Sequence, residues 1–196
     1  MMKNNFNTSV LHYTQKTDDI TLDSKSTDSL WCYVHMENFF LQVVTEKDYQ
    51  KRPSVLYKYA NGKIVITQLN TDAAKFGFSI NMELSMTHEL NVDFYSRDKR
   101  KERKIKKKIW KDLNSFSPII VDESADGILV EIGGSAKLFK GKRNLFNLIC
   151  RKLKKYKYFM KITVAPTPCA AVIVAKSNLQ KNIWDISNLN ATVSDI

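Results

Sequence analysis

The chain is poor in cysteine, lacks any long apolar run, and has little acid through its middle third. Its three cysteines, Cys32, Cys150 and Cys169, are odd in number, far apart and set in apolar sequence. That excludes a disulfide framework or a zinc site and leaves buried free thiols. No run of about 18 uncharged apolar residues is present, so no membrane-spanning helix is expected. Residues 1–28, rich in Asn, Thr, Ser and Asp, lack the basic and apolar regions of a signal peptide. They are expected to be a disordered polar leader, and the protein to be soluble and cytoplasmic with no membrane partner. Between Arg97 and Lys161 there are only 7 Asp/Glu against 20 Lys/Arg, although the whole 196-residue chain carries a net charge of only +11. A basic surface confined to one third of the chain is the footprint expected for a polyanion, and nucleic acid is the commonest one.

What is present is the pattern of a packed α+β domain. Hydrophobic residues make up 43% and aromatics 11%, enough for one substantial core or two small domains. Trp31 to Val34 reads as a short buried strand, and Met36 to Thr45 as a helix. A hairpin follows, Ser54 to Tyr59 and Ile64 to Thr67, turning at Asn61-Gly62. Short helices are predicted over Thr71 to Phe76, with Gly77 as a cap, and over Met82 to Leu90, which carries His88. A longer helix spans Asp98 to Leu113, with Ile105, Ile109, Trp110 and Leu113 as its buried stripe. Ten of the fifteen residues from Arg97 to Lys111 are Lys or Arg; such a helix repels itself unless its charge is offset. Strands at Pro118 to Val121 and Gly127 to Ile132, a helix from Ala136 to Tyr156, a strand from Tyr158 to Val164 and a helix from Pro168 to Ala175 complete the order. With the hairpin module taken as an insert, the remainder is βαββαβ, a ferredoxin-like antiparallel sheet backed by helices.

Four motifs in order carry a resemblance. Tyr33-Val-His-Met-Glu-Asn-Phe-Phe40 resembles the opening motif of the Y-family (UmuC/DinB-type) translesion DNA polymerases, in which acid, any residue and acid precede two aromatics. Ala74-Lys-Phe-Gly-Phe78 resembles their finger motif. Ala125-Asp-Gly-Ile-Leu-Val-Glu-Ile132 resembles their central acidic hairpin, and Val164-Ala-Pro-Thr-Pro-Cys-Ala-Ala171 their last palm strand and following helix. Phe116-Ser-Pro118, Asp126-Gly127 followed by Glu131-Ile-Gly-Gly-Ser135, and Ala165-Pro-Thr-Pro168 read as the variants of the ImuB-type mutasome accessory subgroup. The resemblance implies palm segments at 29–44 and 97–180, a fingers insertion at 45–96 and a frayed tail at 181–196. It also implies that the thumb and little-finger domains are missing.

The same resemblance implies that the catalytic equipment is depleted. His35 stands where the first metal-binding Asp belongs, with Glu37 retaining the second acid of the motif. Counting back from Glu131 puts Asp126 on the conserved metal-binding Asp and Gly127 on its neighbouring Glu. Mg²⁺ takes oxygen ligands, and a two-metal site needs converging carboxylates, for which neutral imidazole is a poor substitute. Thr71 and Ala74 replace the Tyr and Arg of the nucleotide clamp, and Thr167-Pro168 an Asn-Lys pair. No cofactor is therefore expected. Mg²⁺ enters only in an alternative in which Asp122, Glu123 and Asp126 make an unusual metal site. His35 as a core histidine bonded to a backbone carbonyl, and Asp126 bonding amides in its own turn, are the plainer readings of those residues.

The expected function is a catalytically degenerate accessory protein of DNA repair and SOS mutagenesis. It would touch DNA phosphates through Lys99, Arg100, Arg103, Lys104, Lys107, Lys108, Lys111, Lys154 and Lys155. The expected partners are a RecA-like accessory protein and an error-prone replicative-type polymerase, in the nucleoid. An active polymerase and a shortened protein acting only through protein contacts are the alternatives. Tyr95, Trp110, Tyr156 and Tyr158, set among basic residues, suit either base stacking or core anchoring.

Overall fold

The first strand addresses two cores at once. In the computed structural model, which describes residues 29–49, 51–84, 91–177 and 182–184, β1 (Trp31–Met36) sends Cys32, Val34 and Met36 to one side and Tyr33 to the other. It runs two residues past Val34, and α1 (Phe39–Thr45) begins three residues later than Met36. The cause is Asn38, whose left-handed backbone (φ 47°) breaks strand from helix. Its side-chain amide donates to the Tyr49 hydroxyl and the Leu69 carbonyl.

The insert holds its own sheet. β2 (Ser54–Ala60) and β3 (Lys63–Leu69) are joined at Asn61 and Gly62, both with positive φ, as a tight hairpin turn requires. The buried Asn70 caps α2 (Thr71–Lys75), accepting from the Ala73 amide. Its own amide donates to the Tyr49 and Arg52 carbonyls at 2.7 Å. β4 (Glu83–Leu84) pairs with β3, and β5 (Asp93–Tyr95) lies parallel to β2, in the order β4-β3-β2-β5. The helix expected from Met82 is thus replaced at its start by a strand, because Leu84 fills a core with Val55, Ile66, Ala73, Phe78 and Val92. The rest of that expected helix, His88 included, lies outside the described residues, as does the leader 1–28.

α3 (Lys99–Leu113) starts at Asp98, which accepts from the Arg100 and Lys101 amides; removing such a cap costs about 1 kcal/mol. β6 (Ile120–Ser124), β7 (Gly127–Glu131), α4 (Lys142–Lys154), β8 (Met160–Ala165) and α5 (Pro168–Lys176) follow. α4 begins six residues later than Ala136, since Lys140 and Gly141 take positive φ. The first sheet has the order β6-β7-β1-β8, antiparallel throughout. β7 lies between β1 and β6, so the fold is the expected α+β, ferredoxin-like βαββαβ arrangement with an inserted module.

α3 and α4 pack on one face of this sheet through Ile109, Leu113, Leu145, Ile149 and Leu153, each contributing about 1.5–3 kcal/mol. α5 covers the other face, its Ala170, Ala171, Val174 and Ala175 set against Tyr33, Leu129 and Ala165. Trp110, expected on the buried stripe of α3, is 40% exposed, one residue round the helix from Ile109. Of the cysteines expected to be buried, Cys32 is, Cys150 is half-buried and Cys169 is exposed, because α5 turns its alanines inward. Asn182–Trp184, within the tail expected to fray, lie along β8: the Ile183 amide donates to the Val164 carbonyl at 2.9 Å. Among the described residues no helix is long and apolar enough to cross a membrane.

Candidate functional site

Strand register assembles the residues around His35. β1 and β7 pair antiparallel with Trp31 opposite Glu131 and His35 opposite Gly127, and the Met36 amide donates to the Asp126 carbonyl at 2.8 Å. Asp126 and Gly127 therefore flank His35, as counting back from Glu131 requires. The alternative acids are divided. Asp122 sits opposite Ile128, and the ladder shifts between Asp122 and Ser124. Asp122 pairs with Lys106 of α3 at 3.3 Å, whereas Glu123 bonds the Tyr33 hydroxyl on the α5 side. Among the described residues no group of three His, Cys, Asp or Glu is placed to hold a metal.

Tyr33, unnoticed in the sequence, organises this end of the sheet. Its hydroxyl donates to Glu123 Oε2 at 2.8 Å, and its ring stacks with that of His35, centroids 6.1 Å apart. It also occupies the volume that a side chain at Gly127 would need: a Cβ there would lie 2.1 Å from Tyr33 Oη, 2.7 Å from Cζ and 2.6 Å from Ser124 Oγ. The signal was present, since Tyr33 is diagonal to Gly127 across the antiparallel pair, within reach of a long side chain. Ser124 in turn donates to Asp126 Oδ1 at 2.9 Å, so the Asp126 carboxylate accepts from a side-chain hydroxyl.

The electrostatics follow from burial and from one lysine. Burial lowers the His35 pKa; Asp126 works against this, while the Lys176 ammonium adds to it. The imidazole is thus neutral at pH 7, and its Nδ1 is buried with no hydrogen-bond partner among the described residues, not bonded to a carbonyl as the plainer reading had it. Burial opposes charge on Glu123, but the adjacent Ser124 hydroxyl, the bond from Tyr33 and the Lys176 ammonium outweigh it and hold the carboxyl below its ordinary range. Lys176 Nζ lies 3.8 Å from Glu123 Oε1. The donor set is then a neutral imidazole, a carboxylate paired with an ammonium and a tyrosine, Asp126 bonded to a serine, and a glycine with no room for a side chain. It does not fit a pair of Mg²⁺ ions, which need several free converging oxygens.

The positions expected to grip a nucleotide carry no cation: Thr71, Ala74 and Thr167 are exposed and Pro168 is half-buried. Thr71 and Ala74 lie on α2 and Pro168 opens α5 behind its cap Thr167; Glu37 is exposed after the end of β1.

The basic residues lie mainly on the other side of the sheet. Arg97 grips the buried Glu102 with two bonds, at 3.0 and 2.6 Å, and its guanidinium stacks 3.6 Å over the Phe40 ring. Lys101 pairs with Glu46. Asp112 accepts from Lys155 and Tyr156, and these bonds overcome burial to lower its pKa. Lys155 is therefore partly committed to the fold. Lys99, Arg100, Lys104, Lys107, Lys108 and Lys111 are exposed with no acidic partner among the described residues, as is Lys154. Among the described residues Arg103 donates to the Lys99 carbonyl and has no acidic partner.

The sequence model of the impB/mucB/samB family matches residues 34–176, from β1 to the last residue of α5. The chain belongs to this family. Solved structures share the fold of this family member. DinB from Sulfolobus solfataricus matches at 22% identity and a TM-score of 0.64, over 81% of this chain and 49% of its own. A Y-family DNA polymerase chimera matches at 20% and 0.68, over 85% and 52%. The insertion ternary complex of Dbh DNA polymerase matches at 19% and 0.71, also over 85% and 52%. The chain thus spans about half the length of these polymerases, and at such identities the likeness is one of fold. A search of the curated proteins gave no match.

Proposed function

We propose that this chain is an ImuB-type member of the Y family, catalytically degenerate, that serves DNA repair and translesion synthesis as a DNA- and protein-binding scaffold. The observation that carries the reading is Tyr33 filling the place of a side chain at Gly127, beside a neutral His35. Phosphoryl transfer depends almost wholly on positioning and charge neutralisation, and this end of the sheet offers an internal ion pair instead. The free cations of α3 suit DNA phosphates. The DNA polymerases among its structural neighbours support DNA as the polyanion, and a RecA-like protein and an error-prone polymerase are the partners such a scaffold would serve.

Primer extension in Mg²⁺ or Mn²⁺ tests the first half of the reading. No product is expected from the wild type or from His35→Asp. Synthesis by the wild type that Asp126→Ala abolishes would overturn it in favour of an active polymerase. Anisotropy with labelled DNA tests the second half. If 6–10 phosphates are contacted, affinity should fall by about 10³ to 10⁵ between 50 and 200 mM salt; absence of binding at 50 mM would leave only protein contacts.

A further inference from the structure

Trp110 stands out of the core and lines a groove with Arg103, Lys106, Lys107 and Asp122, about 320 Å³ in volume. The groove runs between α3 and the edge strand β6. Arg103, Lys106, Lys107 and Trp110 lie at i, i+3, i+4 and i+7, one face of the helix. Among the described residues the one acid lining it, Asp122, is paired with Lys106 at 3.3 Å, and Lys106 also donates to the Ser124 carbonyl. Lys106 is thereby spent on the wall of the groove, while Lys107, which lines it with the indole, has no acidic partner among the described residues. An indole 40% exposed amid unpaired cations is poorly explained by packing: Ile105, Ile109 and Leu113 already bury this helix.

We propose that this groove binds single-stranded DNA, one base stacking on the Trp110 indole while Arg103 and Lys107 hold the flanking phosphates. The assignment rests on the DNA-scaffold reading above and adds the form of DNA and the contact residue. A duplex keeps its base faces stacked inside and offers this indole only backbone; an unpaired base offers a free π-face. The groove lies on the α3 side of the sheet, away from the α5 side that holds Tyr33, Glu123 and Lys176.

The test compares labelled oligothymidine with a duplex of equal length, at 50 and 150 mM salt, for the wild-type chain, Trp110→Leu and Trp110→Tyr. Leu keeps an apolar side chain at the position and Tyr keeps an aromatic face. Wild type should prefer the single strand. Trp110→Leu should weaken single-strand binding by about 5- to 100-fold, the range for losing one base stack, with duplex binding unchanged and Trp110→Tyr restoring most of the loss. Equal single-strand affinity in Trp110→Leu and wild type overturns the proposal and leaves salt-dependent DNA binding standing. So does an equal loss for single strand and duplex. No binding of either DNA by the wild type at 50 mM overturns both the proposal and the reading it rests on.

Discussion

Gly127 and Tyr33 are one feature written at two positions. The tyrosine reaches its place because it is diagonal to a residue with no side chain, and it is held there by Glu123, itself held by Lys176. Gly127→Ala should therefore behave as overpacking and cost about 1–3 kcal/mol in urea unfolding. Tyr33→Phe alone should cost about 1.5–3 kcal/mol, since the bond it removes is to a carboxylate. The double variant should be more stable than the sum of the two by about 1 kcal/mol or more, because the closest clash has gone. Strict additivity would show that Tyr33 does not block the position. His35 gives a second prediction. Burial lowers its pKa from the ordinary 6.5, so near and below that pH the unfolded chain binds the proton more readily, and stability falls as pH falls. The loss starts near pH 6.5 and levels off below the lowered folded value. Unfolding midpoints from pH 8 to 5 should decline in the wild type more than in His35→Asn, and parallel profiles would contradict a buried neutral imidazole.

At the scale of elements, α3 shows how so basic a helix is tolerated. Two of its cations are spent on acids supplied by neighbours, Lys101 on Glu46 and Lys106 on Asp122, while its own Glu102 takes Arg97 from the segment before the helix. The outward side leaves its charge for solvent or a ligand. Glu102 is the critical acid, buried at the first turn where a carboxylate also meets the positive end of the helix dipole. Arg97 is more than a third exposed, so the pair is worth less than a fully buried one. Glu102→Gln should cost about 1–3 kcal/mol, and it should loosen Arg97 from the Phe40 ring. Thermal unfolding in low and high salt checks this: the deficit of the variant should persist at 1 M salt, where purely surface pairs are screened.

For the whole molecule, what was legible depended on how far apart the cooperating residues lie. The hairpin at Asn61-Gly62, the span of α3 and the βαββαβ order could be read because period and turn chemistry are local. The strand at Glu83–Leu84 could not, since it exists only because the edge of β3 and the pocket around Ala73 accept Leu84. The place of Trp110 also escaped periodicity, which cannot separate a stripe's centre from its border one residue away. At the site, His35, Asp126 and Gly127 were legible through the family resemblance and the spacing within its motifs, whereas Tyr33, Glu123 and Lys176 needed the sheet to bring them together. That sheet also separates two surfaces, the Tyr33–His35 end under α5 and the cationic side of α3. If the second surface alone meets DNA, the two can be changed independently. Lys104→Glu with Lys108→Glu, both exposed and without acidic partners among the described residues, should lower duplex affinity and make its dependence on salt shallower. The slope of log affinity against log salt should drop by about 0.9 for each phosphate contact removed, while the unfolding midpoint stays within about 0.5 kcal/mol of wild type. Tyr33→Phe and His35→Asn should do the opposite, changing stability while leaving DNA affinity and its salt slope as they were. Loss of DNA affinity in the folded His35→Asn protein would place the DNA on the α5 side of the sheet and refute the separation.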